Sequence, residues 1–379
     1  MWGAHLCSDI QRELHYKQKA LQSVAAELTS QSFLHIIQAE VLLSYYFFRT
    51  GRLLEARAHT ATAVALALGS GLHLIRSLNH PDAPVIEITE DNDREIQLRA
   101  SADSVEEGER INGFWAVYML QKILVVALEP PARVCGVIEA SGTPIDTPWP
   151  LEMEDYKQGL LTSDIHGDST VRNFLRHTGP ERSSITAITV KASILLHRAV
   201  YMHGQYRPGC PAQKTQSWWT AFGFVDQLIN TLRAELSDLT QIQNRSAAPS
   251  ILFTHSLLDA ATIQLHSMFY SDPTSRQNCL AAARDMFRFG GTNSQELGYL
   301  NPMMGTLWMT ACNVFIDELR RMRAEWAHRM WPLLASDQEH EKEMLASLND
   351  GLDALSFFAR ESLLMRHQLK QVQESMEAS

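Results

Sequence analysis

The sequence predicts an all-α protein, a multi-helix bundle built from antiparallel helical hairpins. Apolar residues recur at steps of three and four along most of the 379 residues, which places them on one face of a helix. The alternation of valine and isoleucine that is typical of strands is almost absent. Glycine and proline clusters at 204–211 and 289–302 interrupt the helical pattern, but neither forms a linker long enough to separate domains. We therefore predict one helical domain over residues 1–379.

The first well-defined helix covers residues 34–48, and a second follows at once over residues 51–73. The apolar stripe of the first helix consists of Leu34, Ile37, Val41, Tyr45 and Phe48. The short segment from Arg49 to Arg52, which contains Gly51, closes this helix with a turn. Because the connection is so short, we expect the two helices to pack as an antiparallel hairpin.

The second helix is rich in small side chains. We predict its buried face from residues three and four positions apart, namely Leu54, Ala58, Ala61, Ala65, Leu68 and Leu72. Small side chains on this face would let a neighbouring helix approach closely. Gly69 and Gly71 are candidate caps for the end of the helix, because glycine adopts the left-handed conformation without a Cβ penalty.

A long polar loop is predicted over residues 74–104, and the next helix begins at Ser104. Serine is a favourable N-cap, and the helix dipole favours the acidic residues of the first turns, which are Glu106, Glu107 and Glu109. The helix must stop before Pro130-Pro131, since proline cannot continue it. Residues 131–180 are predicted to be mostly loop with short helical pieces.

Helical periodicity returns in the second half of the chain and accounts for most of residues 181–378. The predicted helices lie at 181–204, 212–240, 249–270, 274–288, 300–328 and 338–378.

Charge and cysteine content exclude several classes of protein. The net charge of −10 argues against a nucleic-acid surface spread over the whole chain. The five cysteines are scattered, odd in number and without a Cys-x-x-Cys pair, which favours a reduced compartment over a disulfide framework or a zinc cluster. Residues 1–19 lack the apolar core of a signal peptide. The most lipid-like run, 111–128, contains Gln121 and Lys122, so we predict a core helix and no membrane contact.

Candidate catalytic and metal-binding patterns are weak, and we predict no enzyme and no cofactor. The acidic patch Glu90-Asp91-Asn92-Asp93 could hold Mg²⁺ for diphosphate ionisation, but that chemistry needs a second motif on a facing helix, and none is found. No histidine pair has the spacing of His-Glu-x-x-His, and Gly-x-Ser-x-Gly is missing. One basic cluster contains Arg320, Arg321, Arg323 and Arg329. Glu318 and Glu325 dilute it, so a charged helix face explains it better than nuclear import or phosphate contact.

Three blocks between residues 33 and 150 resemble the fungal-specific transcription factor domain, the all-helical middle homology region of fungal binuclear zinc cluster regulators. The first runs from Tyr-Tyr-Phe-Phe-Arg-Thr-Gly-Arg to Gly-Leu-His at residue 73. The second has an acidic-basic start, Phe-Trp and a tyrosine one turn later, and the third is an aspartate-proline segment at 145–150. The matching residues are Gly51, Gly71, Leu72, His73, Glu109, Arg110, Phe114, Trp115, Tyr118, Gln121, Pro130, Asp146 and Pro150.

The resemblance implies a nuclear regulator of transcription by RNA polymerase II that contacts protein partners or a small effector. It is also compatible with a homodimer. Members usually bind DNA through an upstream six-cysteine zinc cluster, and this sequence contains none. The family also often has Asp-Arg where this chain has Gln121-Lys122, so the amide cannot form that charged pair and needs hydrogen-bond partners if it is buried.

Two roles remain open for the motif residues. Gly71-Leu72-His73 could line a ligand site, or it could end a helix, with His73 contacting the last carbonyls. Phe114, Trp115 and Tyr118 could stack on an aromatic effector or anchor the core. Glu109 and Arg110 could form an ion pair or lie on a solvated surface. The alternative for the whole chain is a tetratricopeptide-like scaffold, but only one hairpin is found where such folds need at least three.

Overall fold

The computed structural model describes residues 1–27, 33–78, 100–129, 144–176, 184–207, 216–236, 248–288, 298–327 and 335–378. The all-α prediction is confirmed: within these residues no strand is assigned, and the only ladder pairing is an isolated parallel bridge between Ser77 and Gly167. The α-helices are α1 (Trp2–Leu6), α2 (Ile10–Glu27), α3 (Phe33–Arg49), α4 (Leu53–Gly69), α5 (Ser104–Leu128), α6 (Met153–Lys157), α7 (Thr170–Leu175), α8 (Ile185–Gln205), α9 (Gln216–Glu235), α10 (Ala248–His266), α11 (Pro273–Asp285), α12 (Met304–Ala327), α13 (Ala335–Ala359) and α14 (Leu363–Glu377). Two 3₁₀ turns follow α4 and α10, at Leu72–Leu74 and Ser267–Phe269.

Contacts group the chain into two compact units. Unit 1 comprises Met1–Phe47, Arg52–Lys122 and Cys135–Val190, and unit 2 comprises Phe48–Gly51, Ile123–Val134 and Lys191–Ser379. The single domain over 1–379 stays a prediction.

In unit 1, α3 and α4 contact each other through polar side chains. Ser44 Oγ donates to the Ala56 carbonyl at 2.9 Å and lies 2.7 Å from Thr60 Oγ1. Nearer the start of α3, Glu40 pairs with His59 at 2.5 Å. The antiparallel hairpin itself stays a prediction.

The buried face predicted for α4 is wrong within the helix, although Leu72, which follows the helix, is buried as predicted. Leu54 is 79% exposed, and Ala58, Ala61 and Ala65 also face solvent. The buried residues of α4 are Ala56, Thr60, Ala63, Val64 and Ala67. Alanine occupies nearly every side of this helix, so apolar periodicity does not identify a face. Thr60 indicates which side of α4 is buried. Its hydroxyl is hydrogen-bonded inside the unit to the Ser44 hydroxyl and to the Ala56 carbonyl.

Helix α5 is observed as Ser104–Leu128, as predicted, but its cap differs. Asp103 Oδ1 accepts hydrogen bonds from the backbone N–H groups of Val105 and Glu106 at 2.9 and 2.8 Å. The Ser104 hydroxyl instead donates to the Tyr156 carbonyl at 3.1 Å. The end of the predicted helix at Pro130 lies outside the described residues.

Two described helices, α5 and α8, have the length and composition of a membrane span. The buried share of their apolar windows is 61% and 78%, which is how core helices also behave. No helix was predicted before residue 34, whereas α1 and α2 precede it. Apolar residues on α2 such as Ile10 and Leu14 are largely exposed, so its periodicity is weak.

Unit 2 is built around α10, of which 14 of 19 residues are buried. A helix buried all round is a central core element, and α9, α11 and α12 pack against it. Helices α12, α13 and α14 pack against one another. The helix predicted over 338–378 is two helices, because Ser362 caps α14 by accepting from the Met365 N–H at 3.3 Å.

Candidate functional site

The aromatic motif of α5 fixes the aspartate-proline segment in unit 1. Phe114, Trp115 and Tyr118 are fully buried. The indole N–H of Trp115 donates to the Pro148 carbonyl at 2.7 Å, and its ring stacks on Trp149 at a centroid distance of 4.5 Å. These rings therefore act as core anchors in the described structure.

The aspartate-proline segment is in turn bonded to the Leu72-His73 motif. The backbone N–H groups of Asp146 and Thr147 both donate to the His73 carbonyl, at 2.9 and 3.2 Å. The Thr147 hydroxyl donates to the Leu72 carbonyl at 2.5 Å. The three matched blocks thus meet in one place, which we call the motif junction: residues 72–78, 144–150 and 165–170 with the face of α5 that carries Trp115.

Asp146 lies at the centre of the motif junction and is fully buried. One carboxylate oxygen accepts from the Ser169 N–H at 2.8 Å, and the other accepts from the Ser77 hydroxyl. Beside Asp146, position 167 has room for glycine only. A Cβ built there would lie 1.1 Å from the Asp146 carbonyl oxygen, which is a backbone atom that cannot swing away.

Arg76 joins the motif junction to α5. Its guanidinium binds the Glu107 carboxylate through two hydrogen bonds, of 2.7 and 3.0 Å. It also donates to the carbonyls of Thr162 and Ile165, the latter at 3.1 Å. The φ of Arg76 is 55°, an uncommon value for a residue other than glycine. Such a strained conformation persists where surrounding contacts over-determine it, as these do.

A cavity of about 510 Å³ lies beside the motif junction. Its lining residues are Leu68, Gly69, Ser70, Gly71, His73, Leu74, Ile75, Ala100, Ser101, Glu107 and Arg110. Three of them, Gly71, His73 and Arg110, are motif residues. The φ of Gly71 is 74°, so glycine here makes the left-handed turn that follows α4.

His73 does not contact the last carbonyls of α4 as expected. Its Nδ1 is buried and has no hydrogen-bond partner among the described residues, and its backbone carbonyl makes the contacts instead. Burial lowers the pKa of the imidazole, and the charge of Asp146 acts in the opposite direction. Burial therefore favours the neutral form of the ring.

The remaining motif residues fall into three groups. Glu109 is exposed, and the ion pair shown for the buried Arg110 is with Glu106, at 2.8 Å. Gln121 is 4% exposed, and neither atom of its amide has a hydrogen-bond partner among the described residues. The Pro150 carbonyl accepts from the Ser184 hydroxyl at 2.6 Å.

Two motif residues do not belong to the motif junction. Gly51 lies in unit 2, where its φ of 73° turns the chain after α3. Pro130 lies outside the described residues.

Sequence reasoning missed Arg76, Ser77 and Gly167, which complete the junction. Arg76 and Ser77 fell in a predicted loop, and Gly167 in another. Nothing in the local pattern marks them, because their partners lie far away in the chain; Ser77 and Asp146, for example, are 69 positions apart. No group of histidine, cysteine, aspartate or glutamate suited to a metal ion is found among the described residues.

Comparison with known proteins agrees with the three motif blocks. The model of the family described as the fungal specific transcription factor domain matches residues 1–281, which is most of the chain and contains the whole motif junction. Searches of curated proteins and of solved structures gave no match. The matched family is one of transcription regulators, and on the strength of this match the chain belongs to the fungal-specific transcription factor domain family.

Proposed function

We propose that this chain is the regulatory, middle homology region of a zinc-cluster-type transcription factor, which modulates transcription by RNA polymerase II in the nucleus and catalyses no reaction. The observation that carries the proposal is the motif junction. The three blocks that match the family lie far apart in the chain but are bonded to one another around Asp146. This part of the chain is therefore one structural unit within the region that the family model matches.

DNA contact would come from a zinc cluster outside these 379 residues. The net charge of −10 opposes binding to a polyanion. Among the described cysteines, burial raises the pKa of both the Cys279 and the Cys312 thiols to about 12, and thiols that stay protonated are poor metal ligands. The chain itself would then act on an attached DNA-binding domain through protein partners, a second copy of itself or a small effector.

A reporter assay tests this proposal. The chain is placed between a heterologous DNA-binding domain and an acidic activation segment, and reporter transcripts are compared with a fusion that lacks the chain. We expect the chain to change transcript levels about fivefold or more, which is the lower end of typical coupling between sites.

The control is a pair of glycine variants in the same fusion. Gly167→Ala disrupts the motif junction and should abolish the change, whereas Gly69→Ala, with open space around its Cβ, should retain it. Equal transcript levels with the chain, without it and with either variant would refute a regulatory role. Immunoblots verify equal amounts of each fusion.

A further inference from the structure

The side chain of His73 has a buried nitrogen without a hydrogen-bond partner. Its Nδ1 is buried, and none of the described residues donates to it or accepts from it. A neutral imidazole is compatible with this position, because the ring can carry its hydrogen on Nε2 and leave Nδ1 as a bare acceptor. Protonation adds an N–H group at Nδ1. That donor would be buried without an acceptor and beside a new positive charge, which is unfavourable.

The charged groups on the non-helical side of His73 are already engaged or exposed. Asp146 acts on the ring through its charge, and each of its carboxylate oxygens already accepts a hydrogen bond within the motif junction. In segment 165–170 the titratable residues are His166 and Asp168, and both are exposed. No group on this side is therefore placed to accept from a protonated Nδ1.

The charged groups on α5 also have partners. Glu107 and Arg110 line the same cavity as His73. Arg76 binds the Glu107 carboxylate at 2.7 and 3.0 Å, and Glu106 binds the Arg110 guanidinium at 2.8 Å. The other residues that line the cavity carry no charge.

His73 also supplies the acceptor that joins two of the motif blocks. Its carbonyl accepts from the backbone N–H groups of Asp146 at 2.9 Å and Thr147 at 3.2 Å. The preceding carbonyl, of Leu72, accepts from the Thr147 hydroxyl. A ring that leaves its buried position removes packing directly beside these three bonds. The cavity of about 510 Å³ is the space into which a charged ring can turn.

We propose that the motif junction is a pH-sensitive switch, in which protonation of His73 opens the bonds between the Leu72-His73 motif and the aspartate-proline segment. The junction is closed while the ring is neutral and opens as the pH falls. This inference goes beyond the proposed function, on which only its regulatory meaning rests. The opening itself is a property of unit 1 and is measured without any reporter.

The direction of the response follows from proton linkage. Burial lowers the pKa of His73 from its ordinary value of 6.5, and the charge of Asp146 acts in the opposite direction. The closed junction therefore binds the proton less tightly than the open one. The stability contributed by the neutral ring is complete above pH 6.5 and is lost as the pH falls through the lowered pKa.

The first experiment is amide hydrogen exchange of the full chain at about pH 7.5 and about pH 5.5, corrected for the intrinsic exchange rate. Protection of the Asp146 and Thr147 amides should fall about threefold or more at the lower pH. The readout is local because Asp259 of unit 2, whose carboxyl pKa is raised to about 7, gains stability in the same range and would mask a change in global unfolding.

Three variants assign the response to one histidine. His73→Gln and His73→Phe remove the titration, so the two amides should keep the same protection at both pH values. His166 is an exposed histidine of the same junction, and His166→Gln is the matched control that should respond like the parent. A second measurement needs no variant: the His73 ring signal in nuclear magnetic resonance spectra of the parent should titrate below pH 6.5, in step with the loss of protection.

Several outcomes overturn the inference. They are equal protection of the parent at both pH values, a loss of protection that persists in a folded His73 variant, and a His73 ring that titrates while the junction amides stay protected. None of these would affect the reporter result, which is measured at one pH. Conversely, a silent reporter with an intact pH response would refute the proposed function and leave the switch standing.

Discussion

Units 1 and 2 are both helical, but different kinds of contact hold them together. In unit 2 the helices pack directly on one another around α10, and side-chain pairs such as Arg233 with Asp259 at 2.9 Å link them. In unit 1 the motif junction joins non-helical segments through backbone groups, with the His73 carbonyl accepting two hydrogen bonds. Packing between side chains can relax when one of them changes, whereas backbone contact at van der Waals distance cannot. The two units should therefore respond differently to the same substitution.

The largest effect is expected for Gly167→Ala in unit 1. The new Cβ would lie 1.1 Å from the Asp146 carbonyl oxygen, so the segment around Asp146 must move and its hydrogen bonds must break. We expect a loss of more than about 4 kcal/mol in the free energy of unfolding. Denaturant melts followed by tryptophan fluorescence measure it, since Trp115 and Trp149 stack in this region.

The matched substitution in unit 2 is Gly351→Ala. Its Cβ would meet the Cys312 sulfur at 2.6 Å and a ring carbon of Phe287 at 2.9 Å, which are side-chain atoms that can shift. Overpacking of this kind costs about 1–3 kcal/mol. If Gly351→Ala costs as much as Gly167→Ala, the distinction drawn between the two units is wrong.

A pH effect of intermediate size is expected in unit 2. Burial raises the pKa of the Asp259 carboxyl from 3.8 to about 7, while the charge of Arg233 acts against this rise. The folded state thus binds the proton more tightly than the unfolded state. This contribution to stability is fully present below pH 3.8 and is lost as the pH rises through about 7. The size of the loss is ~2–4 kcal/mol.

Asp259→Asn tests this effect, because the amide cannot ionise but its oxygen can still accept from Arg233. Unfolding free energies of parent and variant are compared in a series from about pH 4 to about pH 8. The parent should lose stability relative to the variant across the series. A constant difference between them at every pH would show that Asp259 does not titrate there.

The smallest effects concern the two sides of α4. Ala63 is fully buried, and replacing it with leucine should cost about 1–3 kcal/mol through overpacking. Ala61 and Ala65 are exposed, so the same substitution there should change stability by less than about 0.5 kcal/mol. The measurement is the denaturation midpoint of the three variants beside the parent. A lower midpoint for Ala61→Leu than for Ala63→Leu would restore the face first predicted.

The helices and their buried faces were predictable wherever apolar and polar residues fall on different sides of the helix. Helix α5 satisfies this condition, and its start at Ser104 was predicted correctly. Helix α4 does not satisfy it, because alanine lies on almost every side and no apolar face stands out. The hydrogen bond between Thr60 and Ser44 instead marks the buried side.

The motif junction could be predicted only in part. The resemblance pointed to Leu72, His73 and Asp146, but not to the bonds between them. Those bonds use mostly backbone groups, which every residue carries, so side-chain identity says little about them. Arg76 and Gly167 were missed because each is fixed by the position of a distant segment, which its own sequence neighbours do not reveal.

The motif junction also bears on the order in which the chain folds. Its hydrogen bonds from Thr147 to Leu72 and from Ile75 to Thr147 span 75 and 72 positions of the chain. Closing a loop of that length costs conformational entropy before any contact compensates for it. In unit 2, by contrast, α10 and α11 are consecutive helices that meet across a short connection. Local contacts form faster than distant ones, so the packing of α10 on α11 can form before the motif junction, which assembles later.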